Sequence, residues 1–335
     1  MIKDFFTAIR QLLKSPQKAI IIPHKNPDGD ALGSTLALMH FLRHEKHEAI
    51  VVSPNSYPKF LNWLPGQEQI LIYNEKKDLV QKKIEEATLI FTLDFNALGR
   101  IDKLGELISD SKVEKIMIDH HEEPEDYATL MYSNTNMSST CEMIYNLILA
   151  LNPRAINSEI ANCLYTGIMT DTGSFKYSST TSETHKAIAN LIEKGANGTL
   201  IHQKIYNSSS LNRLKLLGIA LSNLNRIGDL PVAYITLSQK ELNSCNYQKG
   251  DTEGFVNYGL SLDGIKFTCI MIENEKEEKI KISFRSKGSF SVNEFARKYF
   301  QGGGHINAAG GMSTDSMDIT VQRFNKAVKE ISSQF

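Results

Sequence analysis

The first half of the chain alternates short apolar runs with amphipathic stretches. The apolar runs are rich in β-branched residues and predict buried strands at 19–23, 49–53, 89–95 and 115–119. Apolar positions at helical spacing lie between or after them, notably at 31–41, 138–151 and 158–170. Strands alternating with helices are typical of a parallel sheet covered on both faces. The pattern therefore predicts an α/β domain at the start of the chain.

The pattern changes in the second half. Residues 181–225 have helical spacing that is broken twice by small polar residues and glycine. Beyond them, strand-like runs occur at 231–237, 266–272 and 279–285, and helical stretches at 292–300 and 320–332. This predicts a second, smaller α/β domain with a mixed sheet. We expect a first domain over 1–190, a helical linker over 191–225 and a second domain over 226–335.

The composition agrees with two domains and limits the kind of ligand that we expect. A chain of 335 residues is longer than one core normally supports, and 41% hydrophobic with 22% charged residues is ordinary for a globular protein. Lysine plus arginine number 37 against 38 acids, a net charge of −1. Proteins that track long nucleic acids usually carry a basic excess. We therefore expect no long nucleic-acid partner, and a short or small ligand bound by a few placed cations.

The cysteines and the apolar runs predict a cytoplasmic protein without a membrane segment. Four cysteines are scattered without paired spacing, which favours buried thiols in a reducing compartment over a zinc site or a disulfide framework. No apolar run approaches the length of a membrane span. Residues 1–15 have the pattern of an amphipathic helix and lack the features of a signal peptide.

The strongest chemical signal follows the first predicted strand. His24, Asp28 and Asp30 place three potential metal ligands within seven residues, in a loop that also contains Pro27 and Gly29. An imidazole beside carboxylates suits Mn²⁺ or Fe²⁺ better than a cation that prefers only oxygen ligands. The alternative interpretation is a polar turn that leads into a helix, with Asp30 as the helix cap.

Further potential ligands follow other apolar runs. The sequence Asp119-His120-His121 ends a predicted strand, and Asp94 and Asp171 follow the runs 89–93 and 165–170. One histidine of the pair can bind a metal while the other points towards a substrate, and the aspartate can fix the tautomer of the ligand. Ligands of parallel sheets bind beyond the carboxyl ends of the strands. Helix capping could explain any one of these residues, but hardly all of them.

A glycine-rich segment at 301–311 contains His305. Glycines let a ligand approach the backbone, and exposed N–H groups can cradle a phosphate. The alternative is a flexible connector between a helix and a strand. The spacing differs from the dinucleotide-binding fingerprint, which lies between a strand and a helix.

These motifs together resemble the DHH phosphoesterase superfamily, and within it the branch of oligoribonucleases and 3′-phosphoadenosine 5′-phosphate (PAP) phosphatases, the nano-RNases. The resemblance covers nearly the whole chain, because the second half has the glycine-rich signature of the DHH-associated domain in 303–305 and 308–311. It implies an α/β fold with a parallel-sheet DHH domain, a smaller α/β domain with a mixed sheet, and an active site in the cleft between them.

The resemblance also implies roles for individual residues. Two divalent cations, in our interpretation Mn²⁺, would be held by His24, Asp28 and Asp94 on one side and by Asp30, Asp94, His120 and Asp171 on the other, with Asp94 bridging. Asp119 would support the site, His121 would contact the substrate or the leaving group, and Arg100 would face the phosphate. Substrate binding by the second domain would involve Arg285, Gly302, Gly303, Gly304 and His305. Gln301 departs from the family, in which many members have a fourth glycine.

The implied reaction is hydrolysis of short oligoribonucleotides to 5′-mononucleotides, and of PAP to AMP and phosphate, by a hydroxide activated by two metals. The chain could also form a homodimer. The alternative function is a phosphodiesterase for cyclic di-AMP or linear dinucleotides. Family II pyrophosphatases lack the glycine-histidine segment, and RecJ-type exonucleases carry an additional nucleic-acid-binding domain. An inactive nucleotide-binding module would show no metal-dependent hydrolysis.

Overall fold

A computed structural model describes residues 2–334 of the chain. The chain divides into two units, of which the first ends at Ser208 and the second begins at Ser209. Within the described residues, no helix has the length and apolar character needed to cross a bilayer.

The first unit alternates helices and strands as the sequence predicts. Its helices are α1 (Ile2–Leu12), α2 (Gly29–His44), α3 (Lys77–Glu85), α4 (Lys103–Asp110), α5 (Thr140–Leu151), α6 (Ser158–Asp171), α7 (Ser182–Glu193) and α8 (Gly198–Tyr206). Its strands are β1 (Lys18–Pro23), β2 (Glu48–Ser53), β3 (Leu71–Ile72), β4 (Leu89–Leu93), β5 (Glu114–Asp119) and β6 (Leu130–Ser133).

The six strands form one parallel sheet in the order β3-β2-β1-β4-β5-β6, which confirms the predicted sheet. Both faces of this sheet are covered, because Ile21 belongs to one buried cluster and Ile20 and Ile22 to another. The strand order reverses between β1 and β4. Open α/β sheets bind ligands in the crevice at such a point, beyond the carboxyl ends of the strands. The first unit therefore offers a binding position where β1 and β4 end.

The second unit contains α9 (Leu211–Ser222), β7 (Asn225–Arg226), β8 (Val232–Leu237), α10 (Gln239–Ser244), α11 (Asn257–Leu260), β9 (Phe267–Asn274), β10 (Lys279–Ser286), α12 (Val292–Phe300), β11 (Gly303–His305), β12 (Ala308–Ser313) and α13 (Met317–Glu330). The sheet order is β11-β12-β10-β9-β8-β7. Only β8 and β9 are parallel, so this sheet is mixed, as predicted. Its main core is aromatic and contains Phe267, Phe284, Phe295, Phe300 and Phe324.

The glycine-rich segment forms a hairpin. β11 and β12 pair antiparallel through His305 and Ala308, with Ile306 and Asn307 between them. The connector interpretation of this segment is therefore wrong. The predicted linker, 191–225, contains α8 in the first unit, and α9 and the first residue of β7 in the second.

Candidate metal centre

The predicted ligands of the first unit lie where β1, β4 and β5 end and where α2 begins and α6 ends. Asp28 is the N-cap of α2, since its side chain accepts hydrogen bonds from the N–H groups of Asp30 and Ala31 at 3.0 and 3.1 Å. The interpretation of Asp30 as the cap is therefore wrong. Asp30 is the second residue of α2 and is 1% exposed, so its carboxylate needs partners other than water.

One group of ligand atoms consists of His24, Asp28 and Asp94, whose atoms all lie within 4.8 Å of one another. His24 Nε2 is 3.5 Å from Asp94 Oδ2 and 3.9 Å from Asp28 Oδ2. The other ring nitrogen, Nδ1, is 2.8 Å from the carbonyl oxygen of Lys25 and can donate to it. This hydrogen bond selects the tautomer that leaves Nε2 as a metal ligand.

A second group consists of Asp30, His120 and Asp171, again with ligand atoms within 4.8 Å of one another. His120 Nε2 lies 3.8 Å from Asp30 Oδ2 and 3.5 Å from Asp171 Oδ2. Its Nδ1 is 3.2 Å from the carbonyl oxygen of Met137 and can donate to it. The Met137 carbonyl thus fixes the His120 tautomer, a role that the sequence suggested for an aspartate.

Asp94 belongs to the first group and also lies close to His120 of the second. Its Oδ1 is 3.5 Å from His120 Nε2, while its Oδ2 faces His24. The carboxylate is buried, and Oδ1 also accepts a hydrogen bond from Thr140 Oγ1 at 3.1 Å. Asp94 has φ +65°, a left-handed conformation that costs an aspartate roughly 1–3 kcal/mol. Such strain persists where the surroundings impose it, and functional sites are a common place for it.

The N-terminus of α5 supports Asp30, and the sequence did not predict this. The N–H groups of Thr140 and Cys141 donate to the two carboxylate oxygens at 2.7 and 2.8 Å. A helix N-terminus favours negative charge because its unpaired N–H groups and dipole point at it. α6 comes close enough to enclose the group because Gly167 has no side chain; a Cβ there would lie 2.7 Å from Asp30 Oδ1.

His121 lies close to Asp94 and to the ring of His120, and it is paired with Asp119. Its Nδ1 lies 2.7 Å from Asp119 Oδ1, and its backbone N–H donates to Asp119 Oδ2 at 3.0 Å. Asp119 is fully buried, so it holds the imidazole in one orientation with Nδ1 as the donor. Proton exchange at His121 is thereby directed to Nε2. The buried aspartate therefore orients the second histidine, not the ligand histidine.

The pKa shifts show how strongly these charges interact. Burial and the charges of Asp94 and Asp171 raise the pKa of Asp30 well above its usual range. Burial also raises the pKa of Asp171, to about 6, against the charge of His120. Burial acts the same way on Asp94, but hydrogen bonds with His120 and His24 outweigh it and hold its pKa well below the ordinary value. Burial opposes protonation of His120, yet Asp94 and Asp171 raise its pKa well above normal.

The directions of these pKa shifts bear on whether the residues could bind divalent cations. Carboxylates that raise one another's pKa repel each other, and divalent cations between them would remove that repulsion. Both histidines present one ring nitrogen to the carboxylates and anchor the other on a carbonyl. A mixed set of imidazole and carboxylate ligands suits transition metals such as Mn²⁺. The donor set therefore fits two divalent cations that share Asp94.

Arg100 lies close to the first group. Burial opposes protonation of His24, but the hydrogen bond to Asp94 and the charges of Asp28 and Asp94 raise its pKa. The charge of Arg100 acts in the opposite direction and has the smallest of these effects. Its backbone is tied to the ligand loop, because the N–H of Lys25 donates to the Arg100 carbonyl at 2.9 Å. The structure thus brings the predicted arginine near the metal ligands.

A left-handed turn follows Asp171. Gly173, Ser174 and Phe175 have φ values of +57°, +62° and +65° in succession. Two hydrogen bonds hold this turn. The N–H of Ser174 donates to the carbonyl oxygen of Met169 at 2.7 Å, and the N–H of Phe175 donates to Thr172 Oγ1 at 3.1 Å. Side chains other than glycine rarely adopt this conformation, so the turn fixes the chain beyond Asp171 in a strained geometry.

In the second unit, Arg285 and His305 share a face of the sheet. Both are directly opposite Ala308, on neighbouring strands to either side of β12. Directly opposed residues point to the same face, so the two side chains flank the small Ala308 about 10 Å apart. A guanidinium and an imidazole around a shallow floor of this kind could bind a phosphate or a ribose.

Of the glycines before His305, Gly302 and Gly304 lie against backbone. The N–H of Gly304 donates to Asn293 Oδ1 at 3.1 Å, and a Cβ on Gly302 would lie 1.9 Å from the Gly310 carbonyl oxygen. Gln301 caps α12 with φ +48°. This left-handed position favours glycine, the residue that the family resemblance leads us to expect there.

Comparisons with known proteins agree with the fold and the site. The model for the DHH family, N-terminal domain, matches residues 18–168, and that for the DHHA1 domain matches residues 229–335. The bifunctional oligoribonuclease and PAP phosphatase NrnA of Bacillus subtilis is 30% identical over 296 residues, 87% of this chain and 88% of that protein. The protein with the same description from Thermus thermophilus is 30% identical over 325 residues, 96% of this chain and 93% of its own.

A solved structure is similar over nearly the whole length. The crystal structure of an exopolyphosphatase-related protein from Bacteroides fragilis has 40% sequence identity and a TM-score of 0.94, and the match covers 99% of this chain and 97% of that one. A parallel sheet with clustered aspartates and histidines at its switch point, followed by a mixed-sheet domain, defines the class of metal-dependent phosphoesterases. The chain belongs to the DHH family, the phosphoesterase family that the motifs predicted.

Proposed function

We propose that the chain hydrolyses short oligoribonucleotides to 5′-mononucleotides, and PAP to AMP and phosphate. The observation that supports this most is the position of Asp94, which belongs to one group of candidate ligands and lies close to His120 of the other, with the oriented His121 beside them. The relatives named as bifunctional oligoribonuclease and PAP phosphatase, similar over most of their length, support the choice of substrates.

In this proposal the cofactors are two Mn²⁺ ions. One would be held by His24, Asp28 and Asp94, and the other by Asp30, Asp94, His120 and Asp171. When bound, the cations supply a water of lowered pKa and offset the charge of the phosphoryl group. Thr140 and the Met137 carbonyl keep Asp94 and His120 in place, as their hydrogen bonds suggest.

The remaining candidate residues of the first unit, His121 and Arg100, bind the substrate, and His121 also exchanges a proton with it. Because Asp119 accepts from Nδ1 of His121, a proton can be gained or lost at Nε2 of that ring. We propose that His121 contacts the leaving oxygen through Nε2. Arg100 offsets phosphate charge, and its location near His24 supports this role.

One binding mode would serve both substrates. Removal of the 3′-phosphate from PAP breaks the P–O bond at the 3′ oxygen of a nucleotide that carries a 5′-phosphate. The first linkage of a 5′-phosphorylated RNA presents the same nucleotide and the same bond. We propose that Arg285, His305 and the backbone of Gly302, Gly303 and Gly304 bind the 5′-terminal nucleotide in both cases. The shared sheet face of Arg285 and His305 supports this.

A panel of substrates with Mn²⁺ tests the proposal. It should contain PAP, 5′-phosphorylated RNA of two to five nucleotides, a 24-mer, cyclic di-AMP, pyrophosphate and inorganic polyphosphate. We expect the dinucleotide and PAP to be hydrolysed fastest, and the 24-mer slowly with a shallow salt dependence, because a net charge of −1 leaves little basic surface. Cyclic di-AMP as the best substrate would favour the phosphodiesterase alternative, and polyphosphate as the best would overturn the proposal.

The location proposed is the cytoplasm. All four cysteines are buried thiols, and burial raises the pKa values of Cys141, Cys163 and Cys269. Thiols of this kind are stable in a reducing compartment.

A further inference from the structure

One exposed aromatic ring lies next to the candidate metal centre and has no role in the reaction proposed above. Tyr177 is 42% exposed and follows the left-handed turn that begins two residues after Asp171. The side chain of Asp171 is itself 28% exposed, so a molecule arriving from solvent can reach it. Single exposed aromatics are common on proteins, and exposure alone would carry no meaning.

The position of this ring is fixed by its contact with Gly173. A Cβ on Gly173 would lie 2.5 Å from Cζ of Tyr177 and 2.8 Å from both Cε1 and Cε2. Nearly equal distances to three adjacent ring atoms place that point above the ring plane, not at its edge. One face of the ring therefore covers the glycine, while much of the side chain stays exposed to solvent.

Hydrogen bonds and ring contacts also hold the backbone around the Tyr177 ring in place. The N–H groups of Lys176 and Tyr177 both donate to the Thr172 carbonyl, at 3.0 and 3.1 Å. The ring of Phe175 contacts those of Tyr165 and His185, with centroids 6.1 and 5.7 Å apart. These contacts keep the strained turn in place, and the turn connects Asp171 to the exposed ring of Tyr177.

We propose that Tyr177 is a stacking platform for a nucleobase of the bound substrate. Stacking on an aromatic ring tolerates any base, since every base has a π face. This suits an enzyme that degrades short RNA of any sequence. The inference rests on the proposed function, because it requires a substrate that carries a base. The competing explanation is that the ring only shields Gly173 and stabilises the turn.

The test compares two substrates that differ only in the base: PAP, and the same 3′,5′-bisphosphate sugar without its adenine. The preference for PAP is the ratio of the two kcat/KM values. We expect Tyr177→Ala to reduce this ratio about tenfold or more, mainly through KM for PAP, as loss of one stacked base predicts. Tyr177→Phe keeps the ring and should restore the ratio. Tyr206→Ala is the matched control, because Tyr206 is a similarly exposed tyrosine, 46%, in the same unit.

The outcomes separate the explanations. An equal loss on both substrates in Tyr177→Ala, with lowered thermal stability, would show that the ring only supports the turn, and an unchanged ratio would show that no base contacts it. Either result overturns the stacking role while leaving the proposed function intact if the wild-type chain still hydrolyses PAP. A wild-type chain that hydrolyses polyphosphate and neither PAP nor short RNA would overturn both.

Discussion

At the scale of single residues, Asp94 is the carboxylate that lies close to His24 of one candidate ligand group and to His120 of the other. We expect Asp94→Ala to lower kcat on PAP by at least about three orders of magnitude, or ~4 kcal/mol of barrier, because neither group stays complete. Asp94→Asn is the matched control for folding, since asparagine has the same shape and tolerates φ +65°. A near-normal rate with normal metal content in either variant would contradict the bridging role.

Substitutions of Thr140 test whether its hydroxyl supports the carboxylate of Asp94. Its hydroxyl donates to Asp94 Oδ1 at 3.1 Å in a fully buried position. Thr140→Val removes the hydroxyl at nearly constant volume, and we expect Mn²⁺ affinity to fall about tenfold or more, the usual effect of losing a partner of a metal ligand. Thr140→Ser should retain most of the affinity. Calorimetric titration with Mn²⁺ measures both, and equal affinities in wild type and Thr140→Val would refute the role.

The candidate ligands were predicted from the sequence, but the residues that hydrogen-bond to them were not. Ligands such as His24 and Asp94 follow apolar strands, and that local signal is visible along the chain. Thr140 and Cys141 contact Asp30 from 110 and 111 positions away, and no local pattern reports such a contact. The available signal was the N-cap of α5, where Ser139 accepts from the N–H of Glu142. It predicts a helix start at that position, but not what the helix points at.

At the scale of elements, the buried strands β1, β4 and β5 were predictable because parallel strands covered on both faces are continuously apolar. Their positions at the switch point follow from strand order, which a single sequence does not reveal. The hairpin of β11 and β12 was missed, because glycines give no alternation of polar and apolar side chains. The two-residue strand β7 was also missed, at the end of a stretch with helical spacing.

Two adjacent glycines of the glycine-rich segment, Gly302 and Gly303, form a matched pair for substitution by alanine. A Cβ at Gly302 would lie 1.9 Å from the Gly310 carbonyl oxygen, whereas at Gly303 the nearest atom would be Asn293 Oδ1 at 3.5 Å. We expect Gly302→Ala to lower the free energy of unfolding by about 1–3 kcal/mol, because backbone must move. Gly303→Ala should change it by less than about 0.5 kcal/mol. Urea unfolding measures both.

The variants Gly302→Ala and Gly303→Ala also distinguish an effect on stability from an effect on substrate binding. If substrate approaches the backbone of this hairpin, Gly303→Ala raises KM for PAP although the fold is unaffected. Wild-type KM in Gly303→Ala would remove Gly303 from the proposed binding surface. Equal stability of the two variants would mean that the close approach at Gly302 is not essential to the hairpin.

At the scale of the whole molecule, we expect the crowding of buried carboxylates to make the fold depend on cations. Asp30 and Asp171 have raised pKa values, with burial as the main cause and neighbouring carboxylates adding to it. Cations that bind only the folded chain stabilise it, by about 2.7 kcal/mol per site at a concentration of 100 Kd. We expect Mn²⁺ to raise the Tm and a chelator to reverse the rise. A Tm independent of Mn²⁺ in the wild type would contradict the metal centre.

The most direct measurement follows a 5′-³²P-labelled RNA trinucleotide incubated with metal-stripped protein before and after addition of Mn²⁺. We predict no hydrolysis without metal. With Mn²⁺, the label should appear first as a 5′-mononucleotide, because the 5′-terminal nucleotide is bound and its 3′-O–P bond is hydrolysed. Label that remains on progressively shortened oligomers would contradict binding of the 5′ end by Arg285 and His305. Hydrolysis that is unaffected by removal of the metal would contradict the two-metal centre itself.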